Sequence, residues 1–235
     1  MYEKIKTKDG SFTLKNPFFN ECYHSSEGAV AESLYKHVYP AFSAVKKSKI
    51  RILDICFGLG FNSFLSILNF KGERLEIYSP EIDEKLVKSL KNFEYPAEFD
   101  KIKNIISNIS DKGYFESENL YIEVAFEDAR RYVKKLKDMD IVYQDAFSPK
   151  VNASLWTYEY FEDIKKILNK NGIITTYSVA TPVRCALYKL GFNLYTHPYE
   201  NIRKGTIASL KELDFPKVDF EAKLKRIGDC EYLRD

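Results

Sequence analysis

From Lys49 onward, strand-like and helix-like segments alternate in this 235-residue chain, and that order constrains the fold more than any other feature. Ile50 to Ile55 is an apolar, β-branched run of the kind buried on both faces of a sheet. Phe61 to Leu68 reads as a short apolar helix, Leu75 to Ser79 as a second strand, and Asp83 to Lys91 as a second helix. Ile102, Ile105, Ile106 and Ile109 recur at helical spacing. Tyr121 to Phe126 is the third strand, followed by a basic helix to about Leu136, and Ile141 to Gln144 is the fourth. Trp156 to Leu168 reads as a helix that Asn171-Gly172 ends, and Ile173 to Tyr177 as the fifth strand. Thr181 as N-cap, Pro182 at the first position and Gly191 past the end punctuate a last helix. Phe192 to Thr196 and Thr206 to Leu210 then form a closing antiparallel pair. Five strand–helix units followed by a hairpin predict an α/β fold with a doubly wound, mostly parallel sheet. Ligands of such sheets sit beyond the carboxyl ends of the strands, near the switch in strand order.

Three regions follow from this order: an extension over 1–48, the α/β core over 49–210, and a charged tail over 211–235. In the extension, Ile5 to Thr7 and Ser11 to Leu14 flank the turn Lys8-Asp9-Gly10, a small hairpin. Gly28 to about Tyr39 reads as a helix ended by Pro40. No apolar run reaches membrane-spanning length, and the first residues lack the apolar stretch of a secretory signal, so a cytoplasmic location is the default. A net charge of +2 is too small to indicate a nucleic-acid partner. Basic clusters such as Lys46 to Lys49 and Lys223 to Arg226 read first as solvated surface. The scattered cysteines Cys22, Cys56, Cys185 and Cys230 form neither a disulfide framework nor a zinc site, and no metal is expected.

The chemistry concentrates at the carboxyl ends of the strands. Asp54 closes the first strand and leads into Phe57-Gly58-Leu59-Gly60-Phe61-Asn62. Gly58 and Gly60 let backbone approach a ligand closely, and the following helix offers its free N–H groups. Ser63 stands where a dinucleotide fingerprint needs its third glycine. Glu81, just past the second strand, is placed to accept from both hydroxyls of a ribose, with Asp83 as second choice. Asp128, beside Ala129 after the third strand, is placed to accept from an adenine amino group. Asp83 and Asp128 also stand where helix N-caps stand. A glycine loop with successive acids resembles the S-adenosylmethionine (SAM) site of class I methyltransferases, which are Rossmann-like.

The fourth strand runs into Tyr143-Gln144-Asp145-Ala146-Phe147-Ser148-Pro149, followed by Leu155-Trp156-Thr157. With Glu21-Cys22-Tyr23-His24-Ser25-Ser26-Glu27-Gly28, Glu32-Ser33, Thr176-Tyr177-Ser178 and Val183-Arg184, these segments resemble one family. It is the methyltransferase half of the bifunctional tRNA wobble-uridine enzyme MnmC. The resemblance implies SAM as cofactor and tRNA, through its anticodon loop, as partner. It implies methylation of the exocyclic amine of 5-aminomethyl-2-thiouridine. Asp145 would hold or deprotonate that amine, also touching the cofactor. Phe147 would pack on the base, Trp156 would wall the acceptor site and Arg184 would meet the RNA. Glu32 and Tyr23 would contact the cofactor. A second GxGxxG unit is absent, so a stand-alone methyltransferase without flavin is expected, and no stable protein partner.

Three other readings compete. An aminopropyltransferase of the spermidine-synthase type shares the fold and an amine acceptor, and would turn over putrescine with decarboxylated SAM. A non-catalytic nucleic-acid-binding module would not bind SAM. A nicotinamide-dependent oxidoreductase is disfavoured by Ser63 and by the closing hairpin.

Overall fold

The computed structural model describes residues 2–200 and 202–235. The chain starts with an antiparallel hairpin, β1 (Glu3–Lys6) and β2 (Phe12–Lys15). Its turn carboxylate, Asp9, accepts from Ser11 Oγ (2.6 Å), Thr7 Oγ1 (2.7 Å) and the Ala31 backbone N–H (3.0 Å). A Cβ on Gly28 would lie 2.3 Å from that carboxylate, so only glycine lets the hairpin dock on the helix that follows.

That helix does not stop at Pro40, contrary to the sequence expectation. A short α1 (Ala29–Glu32) passes through a π-helical turn at Ser33–Val38 into α2 (Tyr39–Ala44). Tyr39 N–H donates five residues back, to Leu34 O. Pro40 then falls at the start of the new α segment, where no intrahelical N–H is missed. The wider turn brings Lys36 and His37, both buried, into the wall of the site.

The core follows the predicted order with shifted ends: β3 (Lys49–Ile55), α3 (Phe61–Asn69), β4 (Arg74–Pro80), α4 (Glu84–Ser89) and α5 (Lys103–Lys112). A short edge strand, β5 (Tyr114–Glu116), was not expected; it pairs antiparallel with β6 (Leu120–Ala125). Next come α6 (Ala129–Val133), β7 (Met139–Gln144), α7 (Tyr158–Ile167), β8 (Leu168–Thr176), α8 (Thr181–Lys189), β9 (Asn193–Tyr195) and β10 (Thr206–Ser209). The strand order is β5-β6-β4-β3-β7-β8-β10-β9. β3, β4, β6, β7 and β8 pair in parallel, and β10 with β9 closes the edge antiparallel.

Alternation along the strands divides the core between two faces. Ile52, Ile77, Ile122, Ile141 and Ile173 pack on the side of α3 and α5. Leu53, Val142 and Ile174 pack on the side of α7 and α8. Chain order reverses at β3, with β4 on one side and β7 on the other. Asp54 pairs with Tyr143, and Ile55 with Gln144, so the loops after β3 and β7 leave the sheet side by side.

Three further helix boundaries differ from expectation. α7 begins at Tyr158 with Thr157 as N-cap, its hydroxyl accepting from Tyr160 N–H at 3.2 Å. Asn171-Gly172 does not end that helix; it lies within β8. Ala180, not Thr181, is the N-cap of α8, and Thr181 Oγ1 instead accepts from Lys223 Nζ at 2.6 Å.

The segment after β10 packs against the core. It carries α9 (Phe220–Ile227) and runs back along α7, where Tyr158 N–H donates to Leu233 O. Asp235 pairs with Arg130 and accepts from Thr157 Oγ1 at 2.7 Å. Here the cysteine reading is corrected: Cys185 on α8 and Cys230 form a disulfide across 45 residues. The two thiols are far apart in sequence and meet only because α9 folds back, so spacing gave no hint. A cross-link of that span restricts the unfolded chain. Reducing it, or Cys185→Ser, is expected to cost about 2–4 kcal/mol. Thermal melts with and without reductant check this; coincident melts would contradict it.

Candidate active site

A cavity of about 1220 Å³ opens at the carboxyl ends of β3, β4, β7 and β8. Its walls come from the loops after those strands and from the N-terminal extension.

At the floor, the backbone turns through left-handed conformations at Cys56, Gly58 and Gly60 (φ 65°, 54° and 74°). A Cβ on Gly58 would lie 3.0 Å from the Tyr23 ring, and one on Gly60 2.5 Å from Phe64. Gly58 lines the cavity, whereas Gly60 serves packing beneath it. Glu81 secures the loop: Oε2 accepts from Gly58 N–H at 2.9 Å, and Oε1 from Ile82 (2.8 Å) and Asp83 (2.9 Å). Burial pushes the Glu81 carboxyl up, against the pull of those three N–H groups. Asp83 also lines the cavity, but its oxygens cap α4 through Leu86 N–H (2.9 Å) and pair with the Tyr2 hydroxyl.

Asp54 lies under the loop rather than on the cavity surface. It is 1% exposed and accepts from Ser63 Oγ at 2.6 Å. Burial raises its pKa to about 7. Folding lifts this carboxyl above its ordinary value of 3.8, so its contribution to stability is greatest below that value and is lost as pH rises through about 7. Asp54→Asn is therefore expected to remove about 2–3 kcal/mol of the stability difference between roughly pH 5 and pH 7. Urea titrations of both proteins at the two pH values measure it; equal pH dependence would contradict it.

Beyond β7, Asp145 is held from two sides. Asn62 Nδ2 donates to Oδ2 at 2.8 Å, and His37 Nε2 lies 3.5 Å from Oδ1. His37 Nδ1 meets Thr175 Oγ1 at 2.8 Å. Burial pushes the Asp145 carboxyl up, but His37, His24 and Asn62 outweigh it and leave the pKa below the usual carboxylate value. Asn62 Oδ1 is buried and lacks a hydrogen-bond partner among the described residues.

The loop carrying Phe147 is tied at every step. Tyr177 OH donates to Ala146 O (3.1 Å), and Trp156 Nε1 to Phe147 O (2.8 Å). Glu21 accepts from Ser148 Oγ (2.5 Å) and Ser148 N–H (3.1 Å). The Phe147 ring rests between Phe19 (4.9 Å) and Tyr23 (5.1 Å). Phe18, 88% exposed, stands at the mouth.

Of the residues singled out in the sequence, Tyr23, Glu32, Phe57, Gly58, Asn62, Glu81, Asp83, Asp145 and Phe147 converge on the cavity. Asp128, Ala129, Trp156 and Arg184 are not among the residues that line it. Asp128 caps α6 by accepting from Arg131 N–H. Trp156 is fully buried beneath the loop. Arg184 donates to Thr206 Oγ1 (2.9 Å) and Gly205 O (3.3 Å) on the antiparallel edge. The Lys46 to Lys49 cluster lies at the amino end of β3, the far end of the sheet, with Lys47 on Asp140. Sequence reasoning missed Lys36 and His37, which no motif flagged, and gave no role to Glu21 and Tyr177, although both stand in segments that carry the family resemblance.

Known proteins resemble this chain in sequence and fold. A family model described as S-adenosyl-L-methionine-dependent methyltransferase matches residues 96–211. The crystal structure of MnmC2 from Aquifex aeolicus superposes with a TM-score of 0.87 at 34% identity, covering 100% of this chain and 79% of that one. The chain belongs to the MnmC2 family. Methanocaldococcus jannaschii has an uncharacterized relative, MJ0670, 31% identical over 218 residues. The bifunctional MnmC protein of tRNA 5-methylaminomethyl-2-thiouridine biosynthesis from Campylobacter concisus is 25% identical over 228 residues. This MnmC2-family chain covers 90% and 89% of its own length in those alignments, but 60% and 36% of the relatives'. Spermidine synthases share the fold at 15% identity and a TM-score of 0.59, which concerns fold alone.

Proposed function

We propose that this protein transfers a methyl group from SAM to the exocyclic amine of 5-aminomethyl-(2-thio)uridine at the tRNA wobble position, giving the methylaminomethyl nucleoside. The observation that carries the reading is Asp145, a half-buried carboxylate held by Asn62 and His37 and kept ionised in the same cavity as the Glu81-anchored glycine loop.

The residues present fit SAM. Glycine at 58 leaves open the space beside Tyr23 that a Cβ would crowd, and the Asn62 side-chain oxygen lacks a partner among the described residues. Glu81 would take the ribose hydroxyls on oxygens already oriented by three backbone N–H groups. Bound there, SAM supplies a methyl carbon activated by positive sulfur.

The protein's own contribution is positioning. A primary alkylammonium must first give up a proton to become a nucleophile, and a carboxylate with a lowered pKa is a poor base, so that proton, and the one the methylated amine later sheds, passes to solvent. Asp145 therefore acts by holding the amine and orienting its lone pair, with Asn62 and His37 fixing the carboxylate. Phe147, clamped by Phe19 and Tyr23, offers a flat face for the base, a contact that single-stranded RNA recognition commonly uses. Phe18, Lys85 and Arg203 at the mouth are the surface over which the anticodon loop would lie.

The test is nucleoside mass spectrometry of tRNA carrying 5-aminomethyl-(2-thio)uridine after incubation with the protein and SAM. A gain of one methyl at the wobble nucleoside is expected. Unchanged tRNA, or aminopropyl transfer to putrescine from decarboxylated SAM, would overturn the reading.

A further inference from the structure

The Glu32–Lys36 ion pair lies in the cavity wall, with side chains 16% and 5% exposed. Burying an ammonium is costly, and a buried pair is weak evidence of a stabilising role. Lys36 carries three N–H donors, and among the described residues its Nζ donates to one acceptor, Glu32. Glu32 in turn accepts from Ser25 N–H at 2.7 Å.

The surrounding charge makes this lysine harder to explain by packing alone. The cavity is lined by the carboxylates Glu21, Glu32, Glu81, Asp83 and Asp145. Its other permanent cations among the described residues, Lys85 and Arg203, are exposed at the mouth. Such a wall attracts a sulfonium and an amine and repels a carboxylate. A ligand with two positive groups and no acid would be better served without Lys36. A ligand that also carries a carboxylate needs one buried cation, and the π-helical turn supplies it.

We propose that Lys36 anchors the carboxylate of the cofactor's amino-acid end, with Glu32 taking its ammonium, and that this pair selects SAM over decarboxylated SAM. The inference rests on the SAM reading above. It adds a reason, within this chain, why the cavity serves methyl transfer rather than the aminopropyl transfer known on the same fold.

Calorimetry of the intact protein with SAM and with decarboxylated SAM, without tRNA, tests it. The wild type is expected to bind SAM about 10- to 100-fold more tightly, the value of a charge-assisted contact. Lys36→Met should lose that preference by weakening SAM alone, and Lys36→Arg should retain most of it. Equal wild-type affinity for the two ligands would overturn the inference, a result that stands even if Lys36→Met does not fold. Undiminished SAM binding by Lys36→Met would overturn it too. If the wild type binds neither ligand, the SAM reading itself fails. Tight SAM binding with no tRNA methylation would leave Lys36's role intact and sink only the substrate.

Discussion

Asp145→Ala is expected to lower the methylation rate constant by about 10²-fold or more, the order of loss when a reacting group is no longer held in position. SAM affinity should change far less, because the contacts proposed for the ribose rest on Glu81 and the glycine loop. The variant leaves Asn62 Nδ2 and His37 Nε2 without their shared partner and the incoming amine without a counter-charge. Asp145→Asn keeps the shape and loses the charge, so it should fall nearly as far. Single-turnover methyl transfer with saturating tRNA separates this from binding. Near-normal turnover in either variant would remove Asp145 from the mechanism.

Glu81→Gln should act on the opposite step. A carboxylate here accepts from Gly58, Ile82 and Asp83 at once. An amide has a single acceptor oxygen, so one backbone donor would face an NH₂ group, and the ribose would lose a charged acceptor. SAM affinity is expected to fall about 100-fold or more, with about 1–3 kcal/mol of stability lost with the unpaired donor. Calorimetry well below the melting temperature measures the first effect, and a thermal melt the second. Affinity within about threefold of wild type, a difference too small for a lost charge-assisted bond, would mean that the ribose sits elsewhere.

Much of this site was legible in one dimension. The strand–turn–helix at Asp54 to Asn62, the acid Glu81 just past the next strand, and the polar-aromatic segment after β7 are all local patterns. Each lies at a strand's carboxyl end, and a parallel sheet brings those ends together. Asp128 shows where such reasoning overreached. Its position matched an adenine contact, but its carboxylate caps α6, and the same residue type satisfies either role. Arg184 and Trp156 stand away from the cavity lining for a related reason. A side chain's distance from a cavity depends on which helix face it occupies, and neighbouring motifs do not report that.

By itself, the sequence determined the alternating α/β order, the doubly wound sheet and the glycine loop, because periodicity and turn chemistry act over a few residues. Only the tertiary structure decided what lies across from that loop. The π-helical turn at Ser33–Val38 sets Lys36 and His37 into the wall, and it arises from a change of helix register that residue periodicity does not encode. Glu21 meets Ser148 across 127 residues, His37 meets Thr175 across 138, and Cys185 joins Cys230. Contacts at such separations exist only once the sheet has formed and the extension and tail have packed against it.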